Sequence, residues 1–185
     1  TIANWETWSA LSEDGGWTWS EPRELVPGDR GGRGPVKNKP IRLSDGALLA
    51  GASLEKDGVW NVFADRSEDE GETWQATGVL ALDRTDFAGA GVIQPTLWES
   101  APGRVHMLTR STCGRICRSD SDDGGRTWSP LYRTSLPNNN SGIDLARLDD
   151  GTLALVCNPV SAPVRSPLSI LLSRDNGRTW PRRLN

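Results

Sequence analysis

The side chains with most to offer chemically are arginines and carboxylates: 18 of the 21 basic residues are Arg, set against 24 acidic residues, one His, one Tyr and three Cys. A guanidinium is a rigid fork that grips a carboxylate through two parallel charge-assisted hydrogen bonds. Arg110, Arg115 and Arg165 are the candidates for that work. Two carboxyl groups facing each other across a scissile bond, roughly 5 to 9.5 Å apart, can serve as proton donor and as base or nucleophile. Glu55 and Asp144 are the candidates there, with Lys37, Asn38, Gln94 and Asn140 as polar contacts to a ligand. Spacing alone does not single these residues out; their places in the fold do, so the elements that carry them come next.

Composition closes off several classes. With 36% hydrophobic and 24% charged residues and a net charge of -3, the 185-residue chain has enough apolar material for one globular unit. Its apolar runs are strand-sized, far below the roughly 20 residues of a spanning helix. Basic and acidic residues alternate, which argues against a nucleic-acid patch. Three cysteines, Cys113, Cys117 and Cys157, leave at least one unpaired, and one His without Cys-x-x-Cys gives no zinc pattern. Gly31-Gly32-Arg33-Gly34 lacks the Lys-Ser/Thr of a phosphate-binding loop, and no Gly-x-Ser-x-Gly elbow occurs. No cofactor is expected. The opening Thr1-Ile2-Ala3-Asn4 carries neither Met nor an apolar segment, so any targeting sequence is expected to be removed or to precede it.

Twenty Gly, 12 Pro and nine Trp point to a repeated motif. An eight-residue pattern, Ser-x-Asp-x-Gly-x-Thr-Trp, begins at Ser12, Ser67, Ser121 and Ser173, at intervals of 55, 54 and 52 residues. Physically it is a hairpin turn: Ser and Asp side chains bond back to backbone N–H groups, Gly supplies positive φ, and Trp packs between sheets. The carboxylates of these boxes, Asp14, Asp69, Asp123 and Asp175, are expected to hold turns and catalyse nothing. Between boxes a second turn signal recurs at Ser44-Asp45-Gly46, Ala101-Pro102-Gly103 and Asp149-Asp150-Gly151, flanked by short apolar runs.

Each repeat therefore divides into four strands, A to D, and a four-stranded unit repeated every 50-odd residues describes a β-propeller blade. The fold class is all-β, with repeats near 1–33, 34–87, 88–137 and 138–185, about three and a half blades. In the second repeat the strands are expected near Pro40–Leu43, Ala47–Leu54, Val59–Asp65 and Thr73–Leu80; the A strands of the third and fourth near Ile93–Trp98 and Gly142–Leu148. Both ends fall inside a blade. Propellers close with about 4 to 8 blades, so the chain is expected to be part of a larger ring or to complete one with a second chain. Open blade edges would favour self-association.

The boxes, with Gly34-Pro35-Val36-Lys37-Asn38-Lys39-Pro40-Ile41, Gly91-Val92-Ile93-Gln94-Pro95-Thr96, Arg110-Ser111-Thr112, Gly114-Arg115-Ile116 and Asn138-Asn139-Asn140-Ser141-Gly142-Ile143-Asp144, resemble the Asp-box, or bacterial neuraminidase repeat, proteins of the sialidase superfamily, in particular the predicted exo-α-sialidases. The resemblance covers essentially the whole chain. It implies a six-bladed propeller when complete and removal of a terminal acidic sugar such as sialic acid from a glycan. It also implies an arginine triad on the substrate carboxylate, a Tyr nucleophile partnered by Glu, and an Asp acid/base. The chain departs from that pattern in having no Phe-Arg-Ile-Pro segment and only Tyr132, four residues past a box Trp and so on an outer D strand. A non-catalytic propeller binding glycan or protein, or a propeller lyase or hydrolase of other specificity, fits the same pattern.

In an A-B-C-D blade the boxes and A-to-B turns lie on one face, the B-to-C loops and D-to-A connections on the other. The resemblance places the active site on that second face. The D-to-A connections contribute Lys37, Asn38, Lys39, Gln94, Asn138, Asn140 and Asp144, and the B-to-C loops contribute, among others, Glu55, Arg110, Arg115 and Arg165. His106, at mid-strand between Val105 and Met107, is expected to be structural.

Overall fold

The computed structural model describes residues 4–33 and 37–185. Thr1-Ile2-Ala3 and the Gly34-Pro35-Val36 portion of the second repeat lie outside the described residues. The remainder forms strands and turns. A two-stranded sheet pairs β1 (Trp8–Ser9) with β2 (Arg23–Glu24). Three four-stranded antiparallel meanders follow: β3 (Ile41–Arg42), β4 (Leu48–Lys56), β5 (Val59–Ser67) and β6 (Gln75–Ala76); β7 (Val92–Ala101), β8 (Arg104–Ser111), β9 (Arg115–Ser121) and β10 (Tyr132–Pro137); β11 (Asp144–Arg147), β12 (Leu153–Cys157), β13 (Ser169–Ser173) and β14 (Arg182–Leu184). Among the described residues no helix is long and apolar enough to cross a membrane.

Two differences from the expected strands have local causes. The outer strand of the second sheet is regular only over Gln75–Ala76, because the Thr77 hydroxyl accepts the Ala64 N–H in place of a backbone carbonyl. The residues after the fourth box do form a strand, β14, pairing Leu171 with Arg183, so the fourth sheet has all four strands.

The three four-stranded sheets stack face to face, with the core between them. Along β8, Val105 and Met107 face the second sheet while Leu108 faces the fourth, the period-two alternation of a strand covered on both sides. One core layer joins Leu49, Val62 and Phe63 to Val92, Leu97 and Met107; the other joins Trp98, Leu108 and Ile116 to Leu145, Leu153 and Leu155. Each fully buried aliphatic side chain here stabilises the stack by about 1.5–3 kcal/mol. The sheets approach closely enough that a Cβ on Gly51 of β4 would lie 2.6 Å from the Pro95 ring of β7, so only Gly fits there.

The four boxes share one wiring. The Ser hydroxyl donates to the Asp carboxylate at 2.7–2.9 Å and accepts the N–H of the box Gly at 2.8–2.9 Å. The Thr N–H and hydroxyl both donate to the same carboxylate. These bonds favour the ionised form. The Thr hydroxyl is the chief cause in Asp14 and Asp69, whose pKa falls to about 2, and Asp175 moves the same way. In Asp123 burial works upward, and the bonds from Thr127 and Ser121 outweigh it, again to about 2. Not only the box Gly but the residue before it takes positive φ, even where that residue is Glu70 (φ 60°) or Asn176 (φ 59°).

Candidate functional site

At the end of the sheets away from the boxes, polar side chains from three sheets converge on Arg110. Asp57 (φ 52°) and Gly58 (φ 75°) form a two-residue Asp-Gly hairpin turn that sets Glu55 directly opposite Trp60. Both therefore lie on strands, where a loop position was expected for Glu55. Trp60 is held against the third sheet by its N–H, which donates to the Ala90 carbonyl at 2.9 Å. A Cβ on Gly91 would meet the Trp60 carbonyl at 2.2 Å.

Arg110 lies one residue from the end of β8, with its guanidinium fixed on three sides. Its Nε donates to Asn140 Oδ1 at 3.1 Å, its Nη1 donates to Gln94 Oε1 at 3.0 Å, and its Cζ lies 5.8 Å from the centre of the Trp60 ring. Among the described residues Nη2 makes no hydrogen bond. Burial lowers the Arg110 pKa from its usual value, as does the nearby Arg165; Glu55 acts against them. The structure thus brings Gln94 and Asn140 onto Arg110, with Arg165 and Glu55 near enough to act on its charge. Both residues that brace the guanidinium sit at positive φ, Gln94 at 54° and Asn140 at 63°, conformations that non-glycine residues seldom adopt and that cluster at functional sites.

Asn38 and the lysines on either side cross from the second sheet to the others. Buried Asn38 donates from Nδ2 to the carbonyls of Gln94 and Pro95, both at 3.0 Å, and accepts from Lys37 Nζ at 3.1 Å. Lys37 also donates to the Ile143 carbonyl at 3.1 Å. Loss of hydration lowers its pKa, Asp144 pulls it back up, and Arg110 and Lys39 push it down again. Asp144 accepts from Lys39 Nζ at 3.0 Å and from the Thr96 hydroxyl at 2.9 Å. Burial would raise its pKa, and these bonds outweigh that, keeping the carboxyl ionised.

Three of the expected contacts are therefore turned inward. The Asn38 amide is spent on backbone carbonyls, and the side-chain oxygens of Gln94 and Asn140 are spent on Arg110. Arg115 does not join the cluster: it begins β9, and its Nη1 donates to the Ser135 carbonyl of the outer strand β10 at 2.7 Å. The sequence does not single out Trp60 or Thr96 as site residues, while Asn138 stands among the candidates of the D-to-A connections. Asn138 is fully buried, and its Oδ1 accepts the N–H groups of Ser111 and Asn140, shaping the loop that presents Asn140. The Asp57-Gly58 turn signal would have found Trp60, since it fixes the register that pairs it with Glu55.

A second polar cleft, of about 460 Å³, lies at the box end between the third and fourth sheets. His106 lines it at mid-strand. It contacts Asp120 through Nδ1 at 2.5 Å and Ser100 through Nε2 at 2.7 Å, and stacks on Trp98 with ring centres 4.9 Å apart. Asp120 has its pKa lowered to about 2 because bonds from His106, Arg118 and Tyr132 outweigh its burial. Tyr132, on β10, has its own raised to about 12 by burial and by its bond to Asp120. Among the described residues no group of three or more His, Cys, Asp or Glu is arranged to hold a metal ion.

This arrangement of box-bearing meanders agrees with the family profile of the BNR repeat-like domain, which matches residues 1–185. The chain belongs to that family. It is 27% identical over 180 residues to a sialidase of Paraclostridium sordellii, covering 75% of this chain and 43% of that protein. It is also 29% identical over 194 residues to a sialidase of Micromonospora viridifaciens, covering 93% of this chain and 28% of that protein. The chain thus spans less than half the length of either relative. Among solved structures, the Hadza microbial sialidase Hz136 superposes with a TM-score of 0.78 at 24% identity, over 95% of this chain and 35% of that one. This sialidase-like BNR-repeat chain has the propeller-type fold of those neighbours.

Proposed function

We propose that the Arg110 end of this chain is part of the substrate site of a sialidase-type glycoside hydrolase, acting on a terminal sialic acid of a glycan. The observation that carries the proposal is the immobilised guanidinium of Arg110, braced by Gln94, Asn140 and Trp60 and leaving Nη2 directed to no protein partner among the described residues. A fork held in advance loses little freedom on binding a carboxylate. Arg165 and Lys37 add positive charge around it. Asp144, kept ionised by Lys39 and Thr96, suits stabilisation of positive charge developing on the sugar, which leaves Glu55, opposite Trp60, as the proton donor to the leaving oxygen. Family membership and the sialidase relatives support this reading.

The test is release of a fluorescent aglycone from an α-sialoside by the full-length protein containing this chain, beside its Arg110→Ala variant. Activity that falls at least tenfold in the variant, about 1.4 kcal/mol of transition-state binding, supports the assignment. A full-length protein inert towards sialosides and other glycosides would overturn it in favour of a propeller that binds glycan or protein without cleaving it.

A further inference from the structure

Cys117 is fully buried on β9, in the core between the second and third sheets, and half-buried Cys113 lies in the turn between β8 and β9, packed against the same core. Their sulfurs are 3.9 Å apart and both thiols are free. A disulfide needs about 2.05 Å, so the sulfurs must close by roughly 2 Å. The turn can supply that movement. Gly114, directly after Cys113, sits at φ 79° with open space where a Cβ would be, and the Cys113 sulfur is held only by the Ser111 hydroxyl at 3.0 Å and a weak contact to the Arg115 carbonyl. Cys157, on β12 in the other core layer, makes no sulfur contact with either.

We propose that Cys113 and Cys117 form a modification site that reacts with a low-molecular-weight disulfide and closes to an intramolecular disulfide. Cys113, the more accessible, attacks as thiolate: its sulfur bonds to one sulfur of the reagent, and the other leaves as thiolate and takes up a proton. Cys117 then attacks the Cys113 sulfur, the second reagent thiolate departs with the Cys117 proton, and the net change is two protein thiols oxidised for one reagent disulfide reduced to two thiols. Burial raises the Cys117 pKa to about 12, so the second step is the slower one. The consequence reaches the neighbouring site, because Thr112 of the same turn bonds to Ala88 and Gly91 beside Trp60.

Incubating the folded protein with oxidised glutathione and then counting thiols under denaturing conditions tests this. The three thiols of this chain are expected to fall to one, with a mass loss of two hydrogens, a Cys113–Cys117 linked peptide and Cys157 still free. Cys117→Ser is expected to stop at a glutathione adduct on Cys113. Cys113→Ser, which leaves the buried thiol in place, is expected to keep its remaining thiols unreacted. Three surviving thiols in the native sequence, a lasting adduct on its Cys113, or dimers joined through Cys113 would each overturn the proposal.

Discussion

The two ends of these sheets are polar in opposite ways. At the box end the Asp of each box takes its principal hydrogen bonds from within its own eight residues, as Asp123 does from Ser121, Arg126 and Thr127. At the Arg110 end the bonds run between sheets, from Asn38 to Gln94 and Pro95, from Lys39 to Asp144, and from Thr96 to Asp144. Local wiring fixes a turn wherever its sequence occurs. Wiring between sheets exists only once the sheets are stacked, and there polar groups are left able to meet a ligand.

The first and third boxes sharpen this contrast, since they have the same hydrogen bonds and different surroundings. Trp19 of the first is 63% exposed, whereas Trp128 of the third is packed against the core between the second and third sheets. Trp128→Ala is accordingly expected to have the largest effect, a loss of about 2–4 kcal/mol in denaturant unfolding, with Trp19→Ala within about 0.5 kcal/mol of the parent. Equal losses would mean that the box tryptophans act through the turn alone.

Next in size is Asp123→Ala, which removes the acceptor for Ser121, Arg126 and Thr127. A loss of about 1–3 kcal/mol in the same assay is expected after allowing for solvent screening. The matching pH dependence has a definite sign. A carboxyl whose folded pKa lies below its unfolded value contributes stability that is complete above the unfolded value near 3.8 and disappears as pH falls through about 2. Melting temperatures of the parent and Asp123→Asn should therefore differ most above about pH 5 and converge on acidification towards pH 2; a gap that widened on acidification would contradict the assignment.

A smaller stability effect than that of Asp123→Ala is expected between sheets. Lys39→Met removes an ion pair whose side chains are 55% and 43% exposed, so the change should fall within about 0–1 kcal/mol. If the full-length protein is an active sialidase, the same substitution should nevertheless lower kcat on the acid side of its pH profile, because it raises the pH at which Asp144 takes up a proton. A variant with unchanged kcat and a flat pH profile would remove Asp144 from the reaction.

What the sequence made legible follows the same division. The boxes, their spacing and the alternation along β8 are local patterns, and they pointed to box-bearing four-stranded sheets with Arg110 and Asn140 at one end. That Arg110 is braced by Gln94 and Asn140 while Arg115 turns to Ser135 depends on how the connections between sheets settle, which no short pattern encodes. Gln94 illustrates the limit. Its place in Gln94-Pro95-Thr96 was conspicuous, but its role as a brace follows from a left-handed backbone held by the Ser53 hydroxyl at 2.8 Å and by Asn38.

The Lys37–Lys39 segment has a kinetic consequence as well. Lys39 and Asp144 are 105 residues apart, with the whole third sheet between them in sequence. Contacts of such long range carry a high loop-closure entropy until the intervening chain is ordered, and they slow folding relative to local ones. The two lysines are therefore expected to be among the last groups to find their partners as the chain folds, and the Arg110 end to be completed only with them.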